Sequence, residues 1–134
     1  MLDIDYFDGF TEELISFKAA IDGEKCNITF DCFIGRIRGD SFTIELADRP
    51  LDILSVMEAL LELDERYELE IDDIGSVRLC FNWDGKDIHR YFDGCNLSQY
   101  SKEIKHKAQL ENLENYLFAI RKNIVERSKK KAKL

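Results

Sequence analysis

The segment RYELEIDDIGSVRLCFNWDGKDIHRYF, residues 66–92, decides the predicted fold because apolar and polar side chains alternate along it. A period of two is typical of strands that bury one face. Asp84-Gly85 favours the tight turn of a two-residue hairpin, and the DDIG sequence at 72–75 supplies an earlier reversal. The segment therefore predicts a meander of three consecutive antiparallel strands.

The chain has 134 residues and 45% hydrophobic content, which suits one domain with a packed core. We expect a single α+β domain over residues 1–128 and a frayed basic tail over residues 129–134. The predicted sheet is antiparallel, with about five strands from one hairpin and the meander. Three helices complete the predicted order of helix, hairpin, helix, meander and helix.

Two helices precede the meander in this prediction. The first begins at Thr11 and ends at Gly23, because apolar residues recur between them at helical spacing. Its predicted apolar face is Phe10, Leu14, Phe17 and Ile21. The alternating residues 2–6 predict an extended segment along a sheet edge. Asp48 and Pro50 predict the start of the second helix. Its predicted apolar stripe is Leu51, Leu54, Met57, Leu60 and Leu61.

Residues 25–47 predict a hairpin with Gly39-Asp40 at its tip. A two-residue turn there would leave the hairpin with two apolar faces, which cannot both face water. Either the strand is covered on both sides, or a bulge near Gly35 shifts the phase so that one face is buried. The bulge is the interpretation we favour.

The longest predicted helix runs from Ser98 to about Ser128, and its apolar residues recur at spacings of three and four. This a/d seam consists of Leu110, Leu113, Leu117, Ile120 and Ile124. Such a seam is typical of a coiled coil, but a helix that lies across its own sheet shows similar spacing. The seam therefore predicts either a homodimer through this helix or packing within one chain.

Charge divides the chain into two parts. Residues 1–95 carry 23 acids and 9 bases, a net charge of −14, whereas residues 96–134 carry 4 acids and 10 bases, a net charge of +6. The densest acidic run, here called the acidic segment, consists of Glu62, Asp64, Glu65, Glu68, Glu70, Asp72 and Asp73. An acidic body repels nucleic acid and anionic membranes and attracts basic proteins. We therefore predict that the acidic segment binds a basic protein partner, with no direct nucleic acid or membrane contact.

The predicted hairpin of the last two strands brings together residue types that are found in catalytic sites. A two-residue turn at Asp84-Gly85 would place Cys80 opposite His89, the composition of a cysteine nucleophile site. No Gly-rich turn or helix N-terminus flanks Cys80 to stabilise an oxyanion, so an ordinary polar sheet face is the interpretation we favour. The four cysteines include no C-x-x-C pair, and we expect them to be reduced. We predict no catalytic residues, no metal and no cofactor.

In size, acidity and lack of a catalytic motif, the chain is similar to the immunity and antitoxin proteins of bacterial toxin systems. That resemblance implies a non-enzymatic inhibitor that masks a basic site, such as the groove of a nuclease toxin. The predicted element order also resembles the small type III export chaperones, which implies a homodimer holding an extended segment of a partner. A cysteine-dependent enzyme is the third hypothesis. The N-terminus lacks the basic start and apolar run of a signal peptide, so we expect a soluble cytoplasmic protein.

Overall fold

The structure is a computed structural model that describes residues 1–9, 13–69, 74–100 and 104–132, with the side chains at 104 and 105 excepted. The strands are β1 (Leu2–Phe7), β2 (Ser16–Ile21), β3 (Lys25–Cys32), β4 (Ile37–Glu45), β5 (Arg66–Tyr67), β6 (Ser76–Trp83) and β7 (Lys86–Asp93). The helices are α1 (Ile53–Leu61) and α2 (Ile104–Ala132), with single 3₁₀ turns at Ile34–Arg36 and Leu97–Tyr100.

The described strands form one sheet in the order β4-β3-β2-β1-β6-β7-β5. Every neighbouring pair is antiparallel except β5 and β7, which run parallel, so the sheet is mixed. The predicted fold is wrong in its particulars. The chain is α+β, but it has a seven-stranded mixed sheet and two helices, not a five-stranded antiparallel sheet and three helices.

The predicted first helix is wrong because part of it forms β2. Phe17, Ala19 and Ile21 are buried, whereas Lys18 between them is exposed, as a strand with one covered face requires. β2 pairs with β1 and β3, which satisfies the backbone hydrogen bonds that a helix would have satisfied locally. Phe10 and Thr11 lie outside the described residues. β1 is central, between β2 and β6, and not at the edge we predicted.

The predicted meander is half right. β6 and β7 form the hairpin, with Cys80 opposite His89, and Asp84 and Gly85 both have the positive φ of a tight turn. The third strand is wrong, because β5 has only two residues and lies at the far edge, parallel to β7. The ring of Tyr67 holds β5 there, with its centroid 5.4 Å from that of Phe92 and 4.5 Å from that of Tyr100.

The hairpin of β3 and β4 has its turn at 33–36, so Gly39-Asp40 is not the tip but part of β4. This register places Ile28 opposite Phe42, which leaves a single apolar face as expected. The register shift lies between Phe30 and Cys32 rather than at Gly35.

The two helices cover one face of the sheet. α1 begins after Asp52, whose carboxylate accepts a hydrogen bond from the Ser55 N–H at 3.1 Å. Its buried residues are Val56, Met57, Ala59 and Leu60, whereas the predicted stripe residue Leu54 is 59% exposed. α2 continues to Ala132, beyond the predicted end. All five residues of the a/d seam are at most 1% exposed, so the seam lies in the core of its own chain.

Candidate protein-binding surface

The strands present their other face to solvent, and we call this surface the open face. Its side chains alternate along the strands with the buried ones and are exposed or half-buried. Side chains of the open face include Asp3, Asp5, Lys18, Thr29, Arg78, Cys80, Asp87, His89 and Tyr91. Packing does not require polar side chains here to be of any particular type, so their arrangement is informative about function.

One row of the open face crosses six strands. The strand registers align Thr29, Lys18, Asp5, Arg78, Tyr91 and Arg66, in that order from β3 to β5. The charges of Lys18, Asp5 and Arg78 alternate, and opposite charges that face each other across strands stabilise their pairing. The row therefore joins the N-terminal strands to the β6–β7 hairpin in a single surface.

Tyr91 is the fixed aromatic centre of this row. The guanidinium carbon of Arg66 lies 4.6 Å from the ring centroid, and that of Arg78 lies 5.2 Å from it. The Tyr91 hydroxyl donates a hydrogen bond of 2.6 Å to Asp93. This bond raises the pKa of Tyr91 and, with the N–H of Leu69, lowers the pKa of Asp93. Ordered tyrosine and arginine side chains are enriched at the energetic centres of protein interfaces.

The described part of the acidic segment borders the open face on its β5 side. Its members Glu62, Asp64, Glu65 and Glu68 are exposed or half-buried. Glu70, Asp72 and Asp73 lie outside the described residues. Glu68 follows β5 and forms an ion pair of 3.2 Å with Arg66. Glu62 ends α1, with its Oε1 2.8 Å from Nε2 of His106.

A groove of about 720 Å³ connects the acidic segment to the open face. Glu65 lines it together with Asp3 and Asp5 of β1, and Tyr91 and Cys80 line it from the hairpin. The structure thus brings one predicted binding residue, Glu65, onto a surface made mainly by strands. Within the described ranges, no group of three or more His, Cys, Asp or Glu side chains could hold a metal ion.

The electrostatics around Cys80 do not favour a nucleophile. Partial burial raises the pKa of its thiol, and the carboxylates of Asp87 and Asp3 raise it further. An activated cysteine requires the opposite shift, because the thiolate is the reactive form. All four cysteines are free, and burial raises the pKa of Cys26 to about 11. The open face therefore offers the composition of a cysteine site without its electrostatics.

Sequence reasoning missed the N-terminal half of the open face. Asp3, Asp5 and Lys18 were not predicted to join the β6–β7 hairpin, because β1 was placed at an edge and β2 was predicted as a helix. The signal that could identify them is alternation, since Leu2 and Ile4 of β1 and three apolar residues of β2, namely Phe17, Ala19 and Ile21, are buried. Two short alternating segments near the N-terminus indicate adjacent strands.

Comparisons of the chain with known protein families, with curated proteins and with solved structures give no match in any of the three. Among the described helices, none has both the length and the apolar character needed to cross a membrane.

Proposed function

We propose that this chain is a non-enzymatic protein-binding protein that docks a basic partner on the open face and the acidic segment. The observation that carries the proposal is the uncovered polar face of the described sheet, with Tyr91 held between two arginines at its centre. A broad, mixed-charge surface of this kind suits a folded partner better than a small substrate, which binds in an enclosed cavity.

The residues around Tyr91 favour a basic partner. Five acids stand on or beside this part of the open face, against the three arginines Arg66, Arg78 and Arg90; the acids are Asp3, Asp5, Asp87, Glu65 and Glu68. Glu62 and Asp64 add negative charge at its border. A basic site on a partner would be complementary to this surface and would be steered towards it over about a Debye length, ~8 Å at physiological salt.

Masking a basic site would give the activity of an inhibitor of the immunity or antitoxin type. A nuclease toxin must present cations to the phosphates of its substrate. A protein that covers those cations with Asp5, Glu65 and their neighbours would block the toxin without any catalysis. The raised pKa of Cys80 supports binding over chemistry at this surface.

The test compares two triple variants with the same change in charge. Asp3→Lys, Glu65→Lys and Glu68→Lys alter the proposed surface. Glu24→Lys, Glu45→Lys and Asp48→Lys alter exposed acids away from it. Each variant and the parent are immobilised as bait in lysate of the native organism, and bound proteins are quantified by mass spectrometry.

We expect one basic protein to be retained by the parent and by the control variant and to be lost from the surface variant. Retention by all three baits, or loss from both variants equally, would contradict the assignment of this surface. Circular dichroism and the thermal midpoint check that both variants stay folded, since all six positions are exposed.

A further inference from the structure

The opposite edge of the sheet carries a second feature, a long strand with an unpaired side. β4 has nine residues and ends the strand order, and within the described ranges no strand pairs with its outer edge. Four consecutive residues, Arg38–Ser41, are exposed on it. The outward N–H and C=O groups of such an edge can accept a further strand.

A basic groove runs beside this edge on the helix side. Asp40 is paired with the buried Phe30, so its side chain lies on the face that the helices cover. The groove has a volume of about 490 Å³ and is lined by Asp40, Asn123, Glu126, Arg127, Lys130 and Lys131. Three cations against two acids make it the positive counterpart of the acidic segment at the other edge.

Arg127 is held in position at this edge. Its guanidinium carbon lies 4.1 Å from the ring centroid of Phe42, a β4 residue, and its Nε donates a hydrogen bond of 2.6 Å to Asn123. A cation fixed over an edge-strand aromatic lies where an added strand would place its alternate side chains, about 4.8 Å beyond β4.

We propose that the β4 edge binds an extended acidic segment of a partner protein as an additional strand. Backbone hydrogen bonds to β4 would supply affinity, and alternate acidic side chains would enter the groove to meet Arg127, Lys130 and Lys131. This surface differs from that of the proposed function in its sheet edge and in the sign of its charge. An experiment can therefore disprove one of the two proposed binding surfaces without bearing on the other.

Synthetic ten-residue peptides test the charge preference. The probe alternates Glu and Thr, carries a fluorophore and is titrated with the full chain at low salt, with fluorescence anisotropy as the readout. The matched control peptide alternates Lys and Thr. We expect saturable binding of the Glu peptide and at least about tenfold weaker binding of the Lys peptide. Equal binding, or no binding of the Glu peptide at millimolar protein, overturns the proposal.

Backbone methylation separates strand pairing from charge attraction. Two further Glu-Thr peptides carry N-methyl groups, one on every Glu and the other on every Thr. Only one set of N–H groups can face β4 in a strand pair. We expect one methylated peptide to lose binding and the other to keep it. If both bind like the parent peptide, the attraction is electrostatic alone and the strand is not formed.

Charge reversal on α2 tests the groove itself. The groove variant is Lys130→Glu with Lys131→Glu, and the control is Lys122→Glu with Lys129→Glu, which are exposed residues outside the groove lining. The net charge change is the same. The groove variant should bind the Glu peptide at least about tenfold more weakly than the parent chain does. The control variant should bind it less than about threefold more weakly. Equal weakening by both variants would contradict the groove assignment.

Discussion

The covered face and the open face of the sheet are made by alternate residues of the same strands, yet different forces hold them. Ile4 and Leu79 on the covered face are buried against the helices, whereas Asp5 and Arg78 on the open face are exposed. Apolar burial contributes about 25 cal/mol per Å², so the covered face supplies most of the folding free energy. The open face contributes less to folding, which is consistent with the binding role proposed for it.

Gly75 lies immediately before β6, next to the backbone of Phe7. Its φ is +83°, and a Cβ there would lie 2.3 Å from the carbonyl oxygen of Phe7. Gly75→Ala should lower the free energy of unfolding by roughly 2–6 kcal/mol, the cost of the positive φ plus the displaced backbone. Gly85 has a similar φ of +78°, but a Cβ there would have no other atom within 4 Å, and Gly85→Ala should cost about 1 kcal/mol.

Urea unfolding measures both glycine variants. Equal losses would contradict the close approach of the Gly75 backbone to Phe7.

Leu117 tests the covered face alone. It is 1% exposed on α2, and its neighbour Phe118 is 60% exposed on the same helix. Leu117→Ala should lower the free energy of unfolding by about 2–5 kcal/mol, because it leaves a cavity in the core. Phe118→Ala, although it removes a larger side chain, should change it by less than about 0.5 kcal/mol.

Protein concentration separates the two packings that the a/d seam predicted. With the seam in its own core, the urea midpoint should be independent of concentration. A midpoint that rises with concentration and is lowered by Leu117→Ala would place the seam between two copies.

Lys18 tests how little the open face contributes to folding. It is exposed between two buried residues of β2, and its cross-strand partner is Asp5. Lys18→Ala should lower the free energy of unfolding by less than about 1 kcal/mol, since opposite charges that face each other across exposed strand positions contribute little. Phe17→Ala on the same strand is the control, with an expected loss of about 3 kcal/mol. Comparable losses in the two variants would mean that the open face is packed.

The smallest expected effect concerns the thiol on the open face. Partial burial raises the pKa of Cys80 and the carboxylate of Asp87 raises it further, so less thiolate is present at a given pH below that pKa. Asp87→Asn should lower the pKa and increase the rate of Cys80 alkylation by iodoacetamide at pH 8 by roughly twofold. Asp22→Asn, at a distant turn, should leave the rate unchanged.

His89 is the second control for this reaction. His89→Ala should not slow alkylation near pH 6, where reaction of the parent should already be slow. Rapid labelling of Cys80 at pH 6 that depends on His89 would make the hairpin an active site.

Features set by residues close together in the sequence could be predicted, whereas the pairing of strands far apart in the sequence could not. The β6–β7 register follows from Asp84-Gly85 and the alternation on either side. β2 was predicted as a helix because Phe17 and Ile21 are four residues apart, a separation that suits one face of a helix and one face of a strand alike. The position of β5 depends on how Tyr67 packs against both Phe92 and Tyr100, which the pattern of the segment does not contain.

The candidate surface likewise has features that could be predicted from the sequence and features that could not. The acidic segment and the basic C-terminal helix are visible as charge, but the row through Lys18, Asp5, Arg78 and Tyr91 exists only once β1 pairs with β6. The basic groove likewise depends on the β4 register that brings Asp40 to the helix side. The charge of each segment could be predicted from the sequence. Which charged side chains become neighbours depends on the pairing of strands far apart in the chain.

Hydroxyl-radical footprinting of the chain, free and in complex with its captured basic partner, shows whether the partner binds the open face or the helices. Tyr91 and His89 report on the open face, and Phe118 reports on the exposed side of α2. We expect the partner to decrease oxidation of Tyr91 and His89 by several-fold and to leave oxidation of Phe118 unchanged. Protection of Phe118 with unchanged oxidation of Tyr91 and His89 would place the partner on the helices and contradict binding on the open face.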